Sequence, residues 1–294
     1  MFNGTNRSRG ALVQFYVNKP KSTKKTEVKG KDSIKKEDEN TIKWDSIKFE
    51  VFDGNRLIRT FKRKTPKENG IHKGVWFMSE KGVARPSRTI RKQKREPRGV
   101  RVKPGTYSIK STFGKQTSEQ NITVKFDPRL HISQNAIDQK YAAAKDLEAQ
   151  QKIIADAVKQ LVESKNIANS FNQKLSKKDK KLYKESIKDS KDIIKKIDTL
   201  LAVYLGKVDK RQGITRNPEV NVMQRLGTAS RYVNSRFGEQ TSTEKQLIIQ
   251  FKEALKPALE KTNAFFNKDW KEYKAEVEKI DLSPFKETKQ FSLE

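Results

Sequence analysis

Apolar and polar positions change rhythm once along this chain, near residue 130. Before that point short apolar runs alternate with polar residues at a period of two. Beyond it apolar residues recur every three or four positions. The first pattern predicts strands at 11–17 (ALVQFYV), 47–52 (IKFEVF), 57–62 (LIRTFK), 74–78 (GVWFM), 106–113 (TYSIKSTF) and 121–126 (NITVKF). Asp53-Gly54-Asn55 between two of them predicts a tight hairpin, because Gly and Asn tolerate positive φ, and Pro104-Gly105 opens another turn. Six or seven short strands in this length predict an antiparallel Ig-like β-sandwich. Its expected core is Phe49, Val51, Leu57, Trp76, Tyr107, Ile109 and Val124.

The second pattern predicts about four helices. Ile137, Tyr141, Ala144, Leu147, Gln151, Ile154, Val158 and Leu161 form one stripe, with Ser133 as N-cap. Leu182 to Tyr204 form a second stripe that closes near Gly206, and 218–233 a shorter third. The fourth starts at a capping box, Thr241 with Glu244, and runs through Leu247, Phe251, Leu255, Phe266, Trp270 and Tyr273 to Val277. Pro257 lies inside it and predicts a kink. The expected fold class is therefore α+β in two domains, an Ig-like sandwich over 1–129 and an all-α bundle over 130–294.

Charge adds something the periods do not show. The 294 residues carry 65 Lys and Arg against 36 Asp and Glu, a net charge of +29. Residues 1–130 hold 33 basic and 13 acidic side chains, a net of +20, whereas 131–294 hold 32 and 23, a net of +9. The excess gathers in two runs expected to be solvated loops: the Lys-rich 19–43 and the basic 85–103, where Glu96 is the single acid. The second run nominates Arg85, Arg88, Arg91, Lys92, Lys94, Arg95, Arg98, Arg101 and Lys103 as a site for a polyanion such as an acidic polysaccharide, lipopolysaccharide or nucleic acid. No aromatic residue interleaves with those charges, which disfavours stacking of single-stranded bases. Basic surface loops with no ligand are the plainer explanation of the same run.

Candidate chemistry is thin. There is no cysteine, which removes disulfides, thiol nucleophiles and thiolate metal ligands. His72 and His131 lie in different segments without a companion ligand pattern, so each is expected at a surface or turn. No phosphate-binding glycine loop, dinucleotide fingerprint or nucleophile elbow occurs. Acids in the helical half are interleaved with lysines, as i to i+4 pairing arranges them. No cofactor, metal or catalytic residue is expected. No apolar run approaches the length of a spanning helix, and the N-terminus lacks the ordered regions of a signal peptide.

Several segments resemble, in order, one family. FNGTNRSRGALVQFYV resembles the F-x-G-x-N-x-x-x-G-A-x-x-x-Y stretch that follows the β-propeller in bacterial sortilin-like (VPS10-like) exported proteins, which are often labelled BNR-repeat glycosyl hydrolases. IKFEVFDGNRLIRTFK with NGIHKGVWFMSEKGVARPSR is similar to the next stretch of that family, and VKPGTYSIKSTF through Asp127-Pro128-Arg129 to its P-G-x-Y strand pair. LGTASRYVNSRFGEQTSTEKQLIIQF through Pro284 resembles its terminal helices. The propeller is absent, and Trp76-Phe77-Met78 stands where the family has W-D-L or W-N-M. The resemblance implies a non-catalytic accessory module of an exported, periplasmic or cell-surface protein, here a fragment or a stand-alone relative. Its implied partner is a propeller or larger envelope assembly, with an anionic glycan or lipid surface as a further partner. A polyanion-binding protein is the alternative, and a hydrolase with an unrecognised site ranks third.

Overall fold

A computed structural model describes residues 10–19, 44–178, 181–208 and 220–280. Antiparallel sheets occupy the first part and helices the second, so the protein is a mixed α+β chain. It divides into two compact units that interleave in sequence: 1–83 with 93–145, and 84–92 with 146–294. All but the first residue of the 19–43 run lies outside the described residues.

In the first unit β1 (Ala11–Val17) pairs with β4 (Gly70–Trp76). A four-stranded sheet has the order β3-β2-β7-β8, from β2 (Ser46–Asp53), β3 (Arg56–Lys64), β7 (Gly105–Phe113) and β8 (Gln116–Val124). A small ladder joins β5 (Ser79–Lys81) to β6 (Arg98–Arg101). The period-two pattern does what it predicts in β2, where Ile47, Phe49 and Val51 are buried in alternation. Phe49 stacks on Phe61 with ring centroids 5.0 Å apart and meets Phe15 at 5.3 Å, so one side chain ties three strands together. The β2–β3 hairpin turns at Gly54, whose φ of +56° is the left-handed region that glycine enters without a Cβ clash.

Three expectations for this unit need correcting. Leu57 is not core: it is 49% exposed, and Ile58 is buried in its place. The reason is a bulge, because Val51 pairs with Arg59 and Phe52 with Leu57, which leaves Ile58 as the extra residue and reverses which side chains face inward. Val124 is only half buried and packs at the margin of the core. The basic run 85–103 is not a loop throughout, since its RGVR segment forms β6 against β5. Gly82 permits that pairing, because a Cβ there would lie 2.4 Å from the Arg98 carbonyl oxygen.

The helices begin where the caps predict. Ala136 N–H donates to Ser133 Oγ at 3.2 Å ahead of α1 (Gln134–Lys178), which outruns its predicted stripe. Val162, Ala168 and Leu175 continue its buried positions. α2 (Lys184–Leu205) closes at Gly206 with φ +81°. α3 (Val222–Ser235) starts at a capping box of Asn221 with Gln224 that the sequence reading passed over. α4 (Ser242–Phe265) starts at the expected box of Thr241 with Glu244. Pro257 sits inside α4, and the change of hydrogen-bond register comes further on, in a π-helical turn at Phe266–Trp270 that leads into α5 (Lys271–Glu278). Two buried hydroxyl pairs fasten α2 to these last helices: Ser190 Oγ with Tyr273 Oη, and Tyr204 Oη with Thr262 Oγ1, both at 2.9 Å. Each hydroxyl so buried needs a partner, and these supply one another. No helix among the described residues is long and apolar enough to cross a membrane.

Candidate functional site

Beside the outer strand β3 the first unit opens into a cleft of about 920 Å³. One wall is β3 itself, with Arg59, Lys62, Arg63 and Lys64; the other is the segment 94–98, and residues 75–77 at the end of β4 form its floor. The two walls are stitched together by Arg59 and Glu96. Arg59 donates from Nη1 to the carbonyls of Glu80, at 3.2 Å, and Pro97, and from Nη2 to that of Glu96 at 2.9 Å. The Glu96 carboxylate accepts from Thr60 N–H at 2.9 Å, which seats it on the edge of β3. Burial holds the Arg59 guanidinium below its usual value, partly offset by the charge of Glu96. Arg59 thus positions the cleft while other cations face it.

Those others are Lys62, Arg63, Lys64, Lys94 and Arg95. All five are exposed, and none has an ion-pair partner among the described residues. Glu96, the only acid on the cleft wall among the described residues, is already taken by Thr60 and by Lys81 Nζ at 3.6 Å. Five like charges round one hollow raise the local positive potential and draw in anions. Just beyond the floor, Met78 has φ +50°, which in a non-glycine residue is uncommon; it lies where the chain turns from β4 to β5, with Phe77 exposed before it and Ser79 and Glu80 buried after it. Arg98 lies over the exposed Phe77 ring at 3.7 Å from its centroid.

The nine cations nominated from the sequence do not form one site. Lys94, Arg95 and Arg98 line the cleft. Arg101 is exposed at the end of β6. Lys103 is bound to Asp138 at 2.7 Å and lies 5.3 Å from the centre of the Tyr141 ring. Arg85, Arg88, Arg91 and Lys92 belong to the second unit, where Arg88 donates to the Gly206 carbonyl. Sequence reasoning missed Arg59, Lys62, Arg63 and Lys64, although RTFKRK at 59–64 carried the signal: cations on both faces at the end of a strand.

A second polar cluster in the same unit has Glu80 at its centre, 5% exposed. Arg56 reaches its carboxylate with both terminal nitrogens, at 3.0 and 3.3 Å; Tyr141 Oη donates to it, and Lys145 Nζ lies at 3.3 Å. Burial alone would push this carboxyl up, but the bonds from Arg56 and Tyr141 and the charge of Lys145 outweigh it and hold it below the usual carboxylate range. Burial, then the charge of Asp53, pushes the nearby Tyr107 phenol up to about 12. A carboxylate kept ionised beside protonated phenols holds strands to the start of α1; it is poorly matched to proton transfer near neutral pH. Among the described residues no group of three or more His, Asp or Glu could hold a metal ion. His72 sits half-buried on β4 with Nε2 3.0 Å from the Glu68 carbonyl, and His131 is exposed.

Compared with protein-family models, with curated proteins and with solved structures, the chain matches none.

Proposed function

We propose that this chain is a non-catalytic interaction module that docks an anionic partner in the basic cleft beside β3. The observation that carries the reading is the set of five cations, Lys62, Arg63, Lys64, Lys94 and Arg95, that have no ion-pair partner among the described residues and face a hollow whose one described acid is already engaged. In the same reading the first unit is an Ig-like sandwich and the second a helical bundle. Two features support the Ig-like part. The order β3-β2-β7-β8 with a separate β1–β4 pair matches the C′-C-F-G and B–E strands of that fold. Tyr107, near the start of β7, donates its hydroxyl to the Lys103 carbonyl at 2.7 Å, as a tyrosine corner does. An exported location, as the resemblance to sortilin-like proteins implies, belongs to the same proposal.

Titration of the full chain against heparin, a generic polyanion, at about 50 and 200 mM salt tests the cleft. Expected is binding that weakens steeply with salt, as counterion release requires, and that falls about a hundredfold when the five cleft cations become Gln. No binding at low salt, or unchanged binding by that variant, rejects the reading.

A further inference from the structure

We propose that the anionic partner is a protein segment in extended conformation, rich in Asp and Glu, that adds as a new strand to the open edge of β3. This rests on the cleft being an anion site and specifies which anion. β3 is the outer strand of its sheet. The near half of its edge is covered from within, where Thr60 N–H meets the Glu96 carboxylate at 2.9 Å. At the far end Thr65 N–H points the other way, to the Asp45 carbonyl at 2.9 Å. Backbone groups alternate sides along an antiparallel strand. Lys62 and Lys64 therefore present their N–H and C=O groups on the same side as Thr60. No backbone group of the described residues pairs with them there. Such a row is the template on which an extended peptide adds by main-chain hydrogen bonds, with side chains setting specificity.

Charge decides what kind of peptide fits. Across β2, Lys62 pairs with Lys48 and Arg63 with Ile47, so Lys62 and Arg63 stand on opposite faces of the sheet. Lys64 shares the face of Lys62. Lys94 and Arg95 approach from the facing wall. A strand docked at this edge meets cations on both of its faces, which favours acids at successive positions. The Glu96 carboxylate on Thr60 N–H is the same recognition made within the chain. Single-stranded nucleic acid asks instead for free ring faces. Here Phe61 is stacked on Phe49, Trp76 is 2% exposed, and Arg98 covers one face of Phe77.

The test uses the full chain, a fluorescent peptide with Glu at successive positions flanked by Val, and the same peptide N-methylated at alternate residues, so that charge is kept and strand pairing is blocked. Heparin and oligothymidylate serve as non-peptide probes. Expected is salt-sensitive binding of the unmodified peptide, weakened about tenfold by N-methylation and again by the exposed double variant K62Q/K64Q. Equal affinity for the two peptides overturns strand addition while leaving the cleft as an anion site. Binding of heparin or oligothymidylate without the peptide also overturns it, in favour of a glycan or nucleic-acid partner. Lysines on an edge strand can serve only to repel other strands; in that case no probe binds at low salt, and the reading of the cleft falls as well.

Discussion

The two units use the same side chains to opposite effect. On the helices lysines are answered by acids one turn away: Lys152 with Asp156, Lys159 with Glu163, Lys274 with Glu278, and Lys195 with Asp192. Round the cleft of the first unit Lys62, Arg63, Lys64, Lys94 and Arg95 have no such answer among the described residues. A helix places residues i and i+4 on one face, so a sequence that alternates Lys with Asp or Glu at that spacing neutralises itself locally. Along a strand the same-face neighbour lies two residues away; Lys48 finds Glu50 there in β2, whereas Lys62 finds Lys64 in β3, and at an outer strand the balance a further strand would bring is missing. Five cations of the first unit thus gather round one hollow, while these helical lysines are matched along their own faces.

The largest test of that contrast removes the scaffold under the cleft. Phe49→Ala deletes a fully buried ring against which Phe15 and Phe61 pack, and is expected to cost about 3–5 kcal/mol in denaturant unfolding. Next in size, changing Lys62, Arg63, Lys64, Lys94 and Arg95 to Gln is expected to lower heparin affinity about a hundredfold at low salt. Changing Lys152, Lys159, Lys195, Lys274 and Lys279 to Gln should move it by about threefold at most, since their charge is locally matched. Equal losses from the two sets would erase the distinction between cleft and helices.

Glu80→Gln is expected to destabilise the protein by about 2 kcal/mol near neutral pH. That is less than the 3–5 of a fully buried pair, because the Arg56 side chain is 53% exposed. The folded carboxyl titrates below its unfolded value of 4.5, so its contribution is complete above that value and fades as pH falls through the folded one. The stability gap between wild type and variant should therefore close in acid, as urea unfolding at a series of pH values will show. Smallest of all, Lys152→Ala breaks a pair with both side chains about two-thirds exposed and is expected to change stability by about 0.5 kcal/mol or less.

Much of the fold was legible in the pattern of residues, and the cleft was only half so. β1 was predicted at its observed bounds, because a run rich in β-branched and aromatic residues is set off there between Gly10 and Asn18. The caps at Ser133 and Thr241 were readable, since each is made by residues within one turn. The Leu57–Ile58 inversion was not, because a bulge shows only once β2 and β3 are paired. β5 and β6 escaped for a related reason: strands this short are held by one another and by Gly82, not by a pattern of their own. Density of charge along the chain pointed to 85–103, yet charge that converges in space came half from β3.

Local order was written in the chain itself: which stretches extend, which coil, where helices start, and that acids are scarce in the first part. These follow from spacings within a few residues, where side chain and backbone act on near neighbours. Tertiary structure alone decided which cations meet, because Arg63 and Arg95 come to one hollow only through strand pairing and the Arg59 stitch across residues far apart in sequence. Pairing partners and bulges are properties of two strands together, and no single stretch of residues contains them.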